Sequence, residues 1–135
     1  MKKITFFFSL LCIYACSNDV QENNKLTNNL VELEFITTEP NFDEIMVSYS
    51  KDKLKTTFLN SYTFSYDLDG NPLPLKITLE NYDSTFISGE AFRENHSPAE
   101  LSVKLYVNGQ LIIEDSSKGT AETIATVYFN HTISN

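Results

Sequence analysis

The stretch LSVKLYVNGQLIIED, residues 101–115, decides the fold class. Its first half alternates apolar and polar residues, and four apolar side chains share one parity: Leu101, Val103, Leu105 and Val107. A period of two is typical of a half-buried β-strand, because successive side chains point to opposite faces. The dipeptide Asn108-Gly109 separates this run from a second apolar run and is a strong hairpin signal. The stretch therefore predicts two antiparallel strands.

The loop of this hairpin can hold two residues or three. A two-residue loop would pair Val107 with Gln110 and would place Glu114 opposite Val103, on the apolar face. A three-residue loop over residues 107–109, with its last residue in a left-handed bulge, would instead place Ile113 opposite Val103. Because a buried face selects the register, we expect the three-residue loop.

The rest of the chain after residue 29 shows the same alternation. Strand-like runs recur at intervals of about ten residues, which is typical of a sandwich or barrel. These runs are LVELEFITT (30–38), EIMVSYS (44–50), KTTFLNSYTFSYD (55–67), LPLKITLE (73–80), STFISGEAF (84–92) and ETIATVYF (122–129). The pattern predicts an all-β fold, an antiparallel immunoglobulin-like β-sandwich of about seven strands.

One short segment carries a helix signal. Ser97-Pro98-Ala99-Glu100 has a serine suited to the N-cap, proline at the first helical position and glutamate at the third. The strand pattern that starts at Leu101 leaves no room for propagation. We expect a single helical turn before that strand.

The N-terminus is typical of a secreted bacterial lipoprotein. Lys2 and Lys3 precede about a dozen mostly apolar residues, which are too few for a membrane-spanning helix of roughly 20. Ile13-Tyr14-Ala15-Cys16 resembles a lipobox, in which the cysteine thiol receives a diacylglycerol and the preceding signal is removed. We therefore expect a lipoprotein signal peptide over residues 1–15, lipidation at Cys16, a flexible tether over 16–29, and a β-sandwich domain over 30–135. Cys12 would leave with the signal, so the four-residue cysteine spacing has no redox or zinc meaning.

The charge of the chain excludes one class of partner. The formal net charge is −8, and removal of Lys2 and Lys3 with the signal changes it to −10. Binding to nucleic acid needs clusters of lysine and arginine, so we expect no nucleic acid partner. We expect the domain in the cell envelope, extracytoplasmic and held to a membrane by its lipid, with the outer membrane favoured over the inner because Ser17 follows the cysteine.

The sequence contains no group of residues with the spacing typical of a metal site or a catalytic site. Asp67-Leu68-Asp69-Gly70-Asn71 resembles the start of a calcium loop, but an EF-hand needs glycine at position 6 and glutamate at position 12. A tight Asp-Gly turn is the better interpretation. His96 and His131 stand apart from any metal-ligand or catalytic spacing, as expected for surface residues of a loop and the tail. We expect no catalytic residues, no metal site, no cofactor and no enzymatic activity.

Two weaker signals concern carbohydrate. Tyr49, Tyr62, Tyr66 and Tyr82 could form an exposed aromatic platform for a glycan or another small ligand, although tyrosine commonly lies at the edge of a core. Asp83-Ser84-Thr85 resembles the O-glycan acceptor motif of extracytoplasmic proteins in Bacteroidetes, which makes Ser84 a candidate acceptor.

A resemblance to a known family covers roughly residues 44–129. Its motifs are Pro74–Ile77, Phe86–Ala91, Leu101–Val107, the Asn108-Gly109-Gln110 turn with the strand that follows it to Gly119, and Ile45–Ser50 as a first strand. This order resembles the small β-sandwich domain of MmpS-type membrane proteins and of related short lipoproteins of Bacteroidetes. The chain differs from them by its lipobox in place of a membrane helix and by lacking the paired cysteines of some members. The resemblance implies a transport-accessory role and no catalytic residues.

These observations predict a membrane-anchored extracytoplasmic lipoprotein that acts as a non-enzymatic accessory or binding module. Its expected partners are the membrane, through the lipid, and an envelope protein such as a transporter. The alternative is a lipoprotein that binds a glycan or small ligand through its tyrosine-rich strands.

Overall fold

The computed structural model describes residues 28–50 and 57–133 of the chain. This part contains eight β-strands and no helix. The strands are β1 (Asn29–Thr37), β2 (Glu44–Ser50), β3 (Thr57–Thr63), β4 (Leu75–Tyr82), β5 (Phe86–Arg93), β6 (Glu100–Val107), β7 (Gln110–Lys118) and β8 (Thr126–Thr132). The first strand begins at Asn29, one residue before the predicted start of the domain.

The strands form two four-stranded sheets. Sheet A has the order β4-β1-β6-β7 and sheet B has the order β3-β2-β5-β8. Every paired neighbour is antiparallel. The inner faces of both sheets contribute to one hydrophobic core. The predicted antiparallel β-sandwich is confirmed, whereas its immunoglobulin-like form stays a prediction.

The core follows from the period of two. In β1 the buried residues Val31, Leu33 and Phe35 alternate with three less buried ones, and β2 and β6 show the same alternation. Burial of each such aliphatic side chain contributes about 1.5–3 kcal/mol. The strands β1 and β6 pair from Val31 to Thr37, with Leu33 directly opposite Leu105.

The hairpin between β6 and β7 differs from the prediction. Val107 pairs directly with Gln110, and Asn108 and Gly109 have φ angles of 53° and 79°. These positive φ values at both central residues define a two-residue type I′ turn, so the expected three-residue loop is wrong. A β-bulge after Tyr106 and Leu111 then shifts the register by one residue.

The bulge places Asp115, not Ile113, opposite Val103. From the sequence, a carboxylate in that position on the apolar face was not expected. The structure accommodates it because the Asp115 Oδ2 atom accepts a hydrogen bond of 2.8 Å from the backbone N–H of Tyr128 in β8. Ser117, two residues on, accepts a longer hydrogen bond of 3.4 Å from the N–H of Thr126. Side chains of β7 thus bind backbone donors at the open edge of β8 and link the two sheets.

The segment before β6 also differs from the prediction. Residues 94–99 contain no helical turn, and β6 begins at Glu100. The Ser97 hydroxyl accepts a hydrogen bond from the N–H of Ala99, two residues on, and donates one to a carboxylate of Glu39. The capping-box pattern is overridden because Ser97 bonds to a distant side chain.

Gly89 provides a test of the packing between β2, β5 and β8. A Cβ atom at this position would clash with the Ser48 carbonyl oxygen and would lie 2.6 Å from Cζ of the Phe129 ring. We expect Gly89→Ala to reduce the free energy of unfolding by about 1–3 kcal/mol, as overpacked cores do. Urea unfolding followed by circular dichroism measures this.

The matched control is Ser116→Ala, because Ser116 is exposed on β7. It should change the free energy of unfolding by less than about 0.5 kcal/mol. Equal stability of the two variants would contradict the close approach at Gly89.

Candidate functional site

The predicted lipidation residue lies outside the described part of the chain. The same holds for the signal peptide over residues 1–15 and for most of the predicted tether. Cys16 and Cys12 therefore remain sequence predictions. In the part of the chain that the structure describes, no helix has the length and apolar character needed to cross a membrane.

Ser84 lies in the connection between β4 and β5. Its side chain is half-buried, and its hydroxyl donates a hydrogen bond of 3.1 Å to the carbonyl oxygen of Phe86. The neighbouring Thr85 is exposed. O-glycosylation of Ser84 stays a prediction, and it would require the hydroxyl to leave this hydrogen bond.

The segment from Asp67 to Asn71 is a tight turn, as predicted. Asp67 accepts hydrogen bonds from the backbone N–H groups of Asp69 and Asn71 and from the Asn71 side chain. Gly70 has a φ of 82°, which favours glycine. These bonds lower the pKa of Asp67, and the largest contribution is the Asn71 side chain. The carboxylate thus bonds to its own loop, and the described residues contain no group of three or more His, Cys, Asp or Glu suited to a metal ion.

The two histidines differ in their surroundings. His96 is exposed in the loop after β5, as predicted. His131 lies inside β8, half-buried and opposite Ile87. Its predicted place in a surface tail is wrong, because β8 extends three residues beyond the apolar run at 122–129.

The four tyrosines predicted to form an exposed platform do not form one. Tyr49 and Tyr82 are buried in the core. Tyr62 and Tyr66 are half-buried and pack against it. The exposed tyrosine of the sandwich is Tyr128, with 60% of its surface accessible. Parity along β8 distinguishes it, because Tyr128 alternates with the buried Val127 and Phe129.

A buried charged cluster missed by the sequence analysis lies at the end of the sandwich where β1 and β5 end and β2 begins. We call it the Arg93 cluster; its members are Arg93, Asp43, Glu39, Thr37 and Ser97. Arg93 and Asp43 are both fully buried, and Arg93 Nε lies 2.9 Å from Asp43 Oδ2. Arg93 Nη2 lies 3.0 Å from Glu39 Oε2.

The remaining polar atoms of the Arg93 cluster are hydrogen-bonded as well. Arg93 Nη1 donates to the Ser97 hydroxyl at 3.2 Å and to the carbonyl oxygen of Ala99 at 3.1 Å. Thr37 donates to Asp43 at 2.6 Å. Buried charges persist when they are paired and hydrogen-bonded in this way, so the cluster has a structural role.

The electrostatics of the cluster agree with this role. The pKa of Glu39 is lowered, first by the hydrogen bond from Ser97 and further by the Arg93 guanidinium, while partial burial opposes the shift. The pKa of Tyr66 is raised by burial and then by the negative charges of Asp43 and Glu39. Glu39 therefore stays ionised and Tyr66 stays neutral at physiological pH. Neither group has the pKa near neutrality that suits a general acid or base.

The outer face of sheet A is charged. Four residues form one row across its four strands: Lys76 of β4, Glu34 of β1, Lys104 of β6 and Glu114 of β7. The Lys76–Glu34 distance is 3.0 Å and the Lys104–Glu114 distance is 3.6 Å. Alternating charges on exposed positions are typical of a solvated face.

The outer face of sheet B has a different character. Its described strand residues include the carboxylates Glu44 and Glu90 but no lysine or arginine. Leu59 and Tyr128 are more than half exposed on this face, and Phe42 lies beside Glu44 with 70% of its surface accessible. Leu59 and Tyr128 lie on the two edge strands of this face, with Ser48 and Glu90 between them. Because the described strand residues of this face include no lysine or arginine, we take it as the candidate binding surface.

A shallow depression lies on this face over the second half of β2 and the first half of β5. Its volume is about 300 Å³, and we call it the serine trough after the side chains that line it: Ser48, Ser50, Ser88, Glu90 and Tyr128. Two cross-strand rows build it, since Ser48 lies opposite Glu90 and Glu90 opposite Tyr128, while Ser50 lies opposite Ser88. Small serine side chains between larger neighbours leave the concave space.

The comparisons with known proteins do not assign the chain to a family. No protein-family model matches it, and no match was found among curated proteins or solved structures. The resemblance to MmpS-type proteins therefore stays a prediction.

The Arg93 cluster gives a quantitative prediction. We expect Asp43→Asn to reduce the free energy of unfolding by about 3–5 kcal/mol, because loss of one partner leaves a buried charge undercompensated. Arg93→Lys should also destabilise, since a single ammonium cannot reach all the acceptors that the planar guanidinium reaches. Denaturant unfolding of the full chain measures both.

The matched control breaks an exposed ion pair. Glu114, whose side chain is 59% exposed, pairs with Lys104, and Glu114→Gln should cost less than about 1 kcal/mol. Similar losses for Asp43→Asn and Glu114→Gln would refute the distinction between the two kinds of pair.

Proposed function

We propose that this protein is a lipid-anchored, extracytoplasmic binding module of the cell envelope that catalyses no reaction. The single observation that carries the binding role is the contrast between the two outer faces: sheet A carries a row of alternating charges, whereas the described strand residues on the outer face of sheet B include no lysine or arginine. The lipobox at residues 13–16 supports the anchor.

The binding surface of the proposed module is the outer face of sheet B. Leu59 on β3 is 57% exposed and shares a cross-strand row with Ser48. Phe42, two residues before the start of β2, adds a second large apolar side chain. Aromatic residues are enriched at the centres of interfaces, and charged residues are depleted there. An envelope protein, such as a transporter component, is the partner that the MmpS-type resemblance favours.

An enzymatic role receives no support from the geometry. Catalysis requires convergent groups, such as a nucleophile within hydrogen-bond reach of a base. Among the described residues, charged groups lie close together in the Arg93 cluster and in the row on sheet A, and in both places they pair with one another. The outer membrane remains the proposed location, on the strength of Ser17 after the cysteine.

The anchor is tested by metabolic labelling with radioactive palmitate. We expect the wild-type chain and Cys12→Ala to incorporate label, and Cys16→Ala to lose it, because only the Cys16 thiol would receive the diacylglycerol. Globomycin should block removal of the signal. Unchanged labelling of Cys16→Ala would refute the lipobox assignment.

The binding surface is tested by photo-crosslinking in membranes of the source bacterium. A photoreactive phenylalanine analogue replaces Leu59 on sheet B, and the same analogue replaces the exposed Thr78 on sheet A as the control. We expect a discrete crosslinked product from position 59 and none from position 78. A product from position 78 alone would reject sheet B as the binding surface.

A further inference from the structure

The serine trough has the chemistry of a carbohydrate site. It presents the hydroxyl groups of Ser48 and Ser88, which can donate and accept hydrogen bonds, the carboxylate of Glu90, which accepts them, and the exposed ring of Tyr128. Sugars offer the complementary groups, since their hydroxyls donate and accept while one face of the ring exposes apolar C–H bonds. From this match we infer that the serine trough binds a short, neutral saccharide, an inference that rests on the proposed role of the sheet B face.

The position of Tyr128 favours this ligand. The side chain is 60% exposed, and it lies directly opposite Glu90, which brings the ring and the carboxylate within side-chain contact distance. The backbone of Tyr128 is held from the other side by Asp115, whose carboxylate accepts the Tyr128 N–H at 2.8 Å. The strand that carries the ring is therefore fixed before ligand arrives, which reduces the entropy lost on binding.

The described lining of the trough disfavours acidic ligands. Glu90 is the charged residue of this lining, and no lysine or arginine lies among the described strand residues of this face. Among these residues a phosphate, sulfate or uronic acid would meet the Glu90 carboxylate without a cation to compensate it. A neutral saccharide is therefore the expected ligand.

The backbone of the trough excludes an extended peptide. The trough lies over β2 and β5, which are both internal strands of sheet B. Their backbone donors and acceptors are used on both sides by neighbouring strands, so no free edge is available for β-strand addition. Recognition must use side chains, and a volume of about 300 Å³ lies at the lower limit for ligand sites, which limits the ligand to a short one.

Sheet A provides an internal comparison. A depression of about 260 Å³ on its outer face also contains a tyrosine, Tyr106, together with Glu32, Glu34 and Lys76. There Lys76 binds Glu34 at 3.0 Å, so this depression contains a cation and an ion pair, which the described lining of the serine trough does not. Tyr106 therefore serves as the matched control for Tyr128.

The test measures binding of the full chain, purified in detergent, to an array of defined oligosaccharides. The probes are neutral oligomers of glucose, mannose, galactose and N-acetylglucosamine, with oligomers of glucuronic acid as the acidic comparison. We expect at least one neutral series to bind and the acidic series not to bind. Tyr128→Ala should weaken binding about tenfold or more, and Glu90→Gln should also weaken it, whereas Tyr106→Ala should leave it unchanged.

Three outcomes would overturn the inference: no neutral oligosaccharide binds the folded wild-type chain, the acidic series alone binds, or Tyr128→Ala binds as wild type does. Circular dichroism verifies that Tyr128→Ala folds, and Tyr128→Phe, which keeps the ring, should retain most of the affinity. Crosslinking from position 59 is independent of the array. If no oligosaccharide on the array binds but the crosslink from position 59 forms, the saccharide inference is rejected and the proposed binding module is retained. If neither the binding nor the crosslink is observed, both proposals are rejected.

Discussion

The buried contact between Arg93 and Asp43 is the constraint on which one whole end of the sandwich depends. Arg93 is the only arginine of the chain, and it lies fully buried at the last position of β5. Removal of this charge from water is unfavourable unless acceptors surround it. The acceptors come from the end of β1, the start of β2 and the loop before β6, so the guanidinium ties both sheets together. Asp43, once fixed, orients the start of β2 and leaves its neighbour Phe42 exposed to solvent.

Hydrogen bonds from backbone N–H groups to side chains also join the two sheets along one long side of the sandwich. The edge strands β7 and β8 belong to different sheets and share no backbone ladder. Asp115 and Ser117 point inward from β7 and accept the N–H groups of Tyr128 and Thr126. Polar side chains in half-buried positions therefore take the place of a strand pairing. The β-bulge in β7 makes this possible, because it brings Asp115 into register with Val103.

The alternation of apolar and polar residues was sufficient to predict the strands but not the polar contacts between them. Alternation indicated a strand-like run at each of the eight strands, although about seven strands were expected. It is clearest in β1, β2 and β6, where buried side chains repeat every second residue. The run predicted over 55–67 is longer than β3, which ends at Thr63. The predicted three-residue hairpin loop was wrong because a carboxylate opposite Val103 was expected to be unfavourable. The carboxylate of Asp115 is accommodated there because it accepts a hydrogen bond from the backbone N–H of Tyr128 in β8. One sequence signal could have indicated the Arg93 cluster, since Arg93 has the same parity along β5 as the buried Ile87 and Ala91. No sequence signal indicates the serine trough, because its rows join strands that lie far apart in sequence.

The direction of β1 sets how the proposed binding face would sit relative to a membrane. The strand begins at Asn29, next to the predicted tether, and ends about 30 Å away at the Arg93 cluster. A lipid on Cys16 would therefore be attached at the end of the sandwich opposite the Arg93 cluster. Strand β2 starts at the Arg93 cluster and runs back toward the Asn29 end of the sandwich. The trough lies over the second half of β2, so it is nearer the Asn29 end than the Arg93 cluster is. A tether of about 13 polar residues has a root-mean-square reach of roughly 20 Å. Such a tether limits how far the Asn29 end can stand from the membrane but leaves the domain free to rotate. The trough, which lies toward that end, would therefore stay within reach of a component of the same membrane.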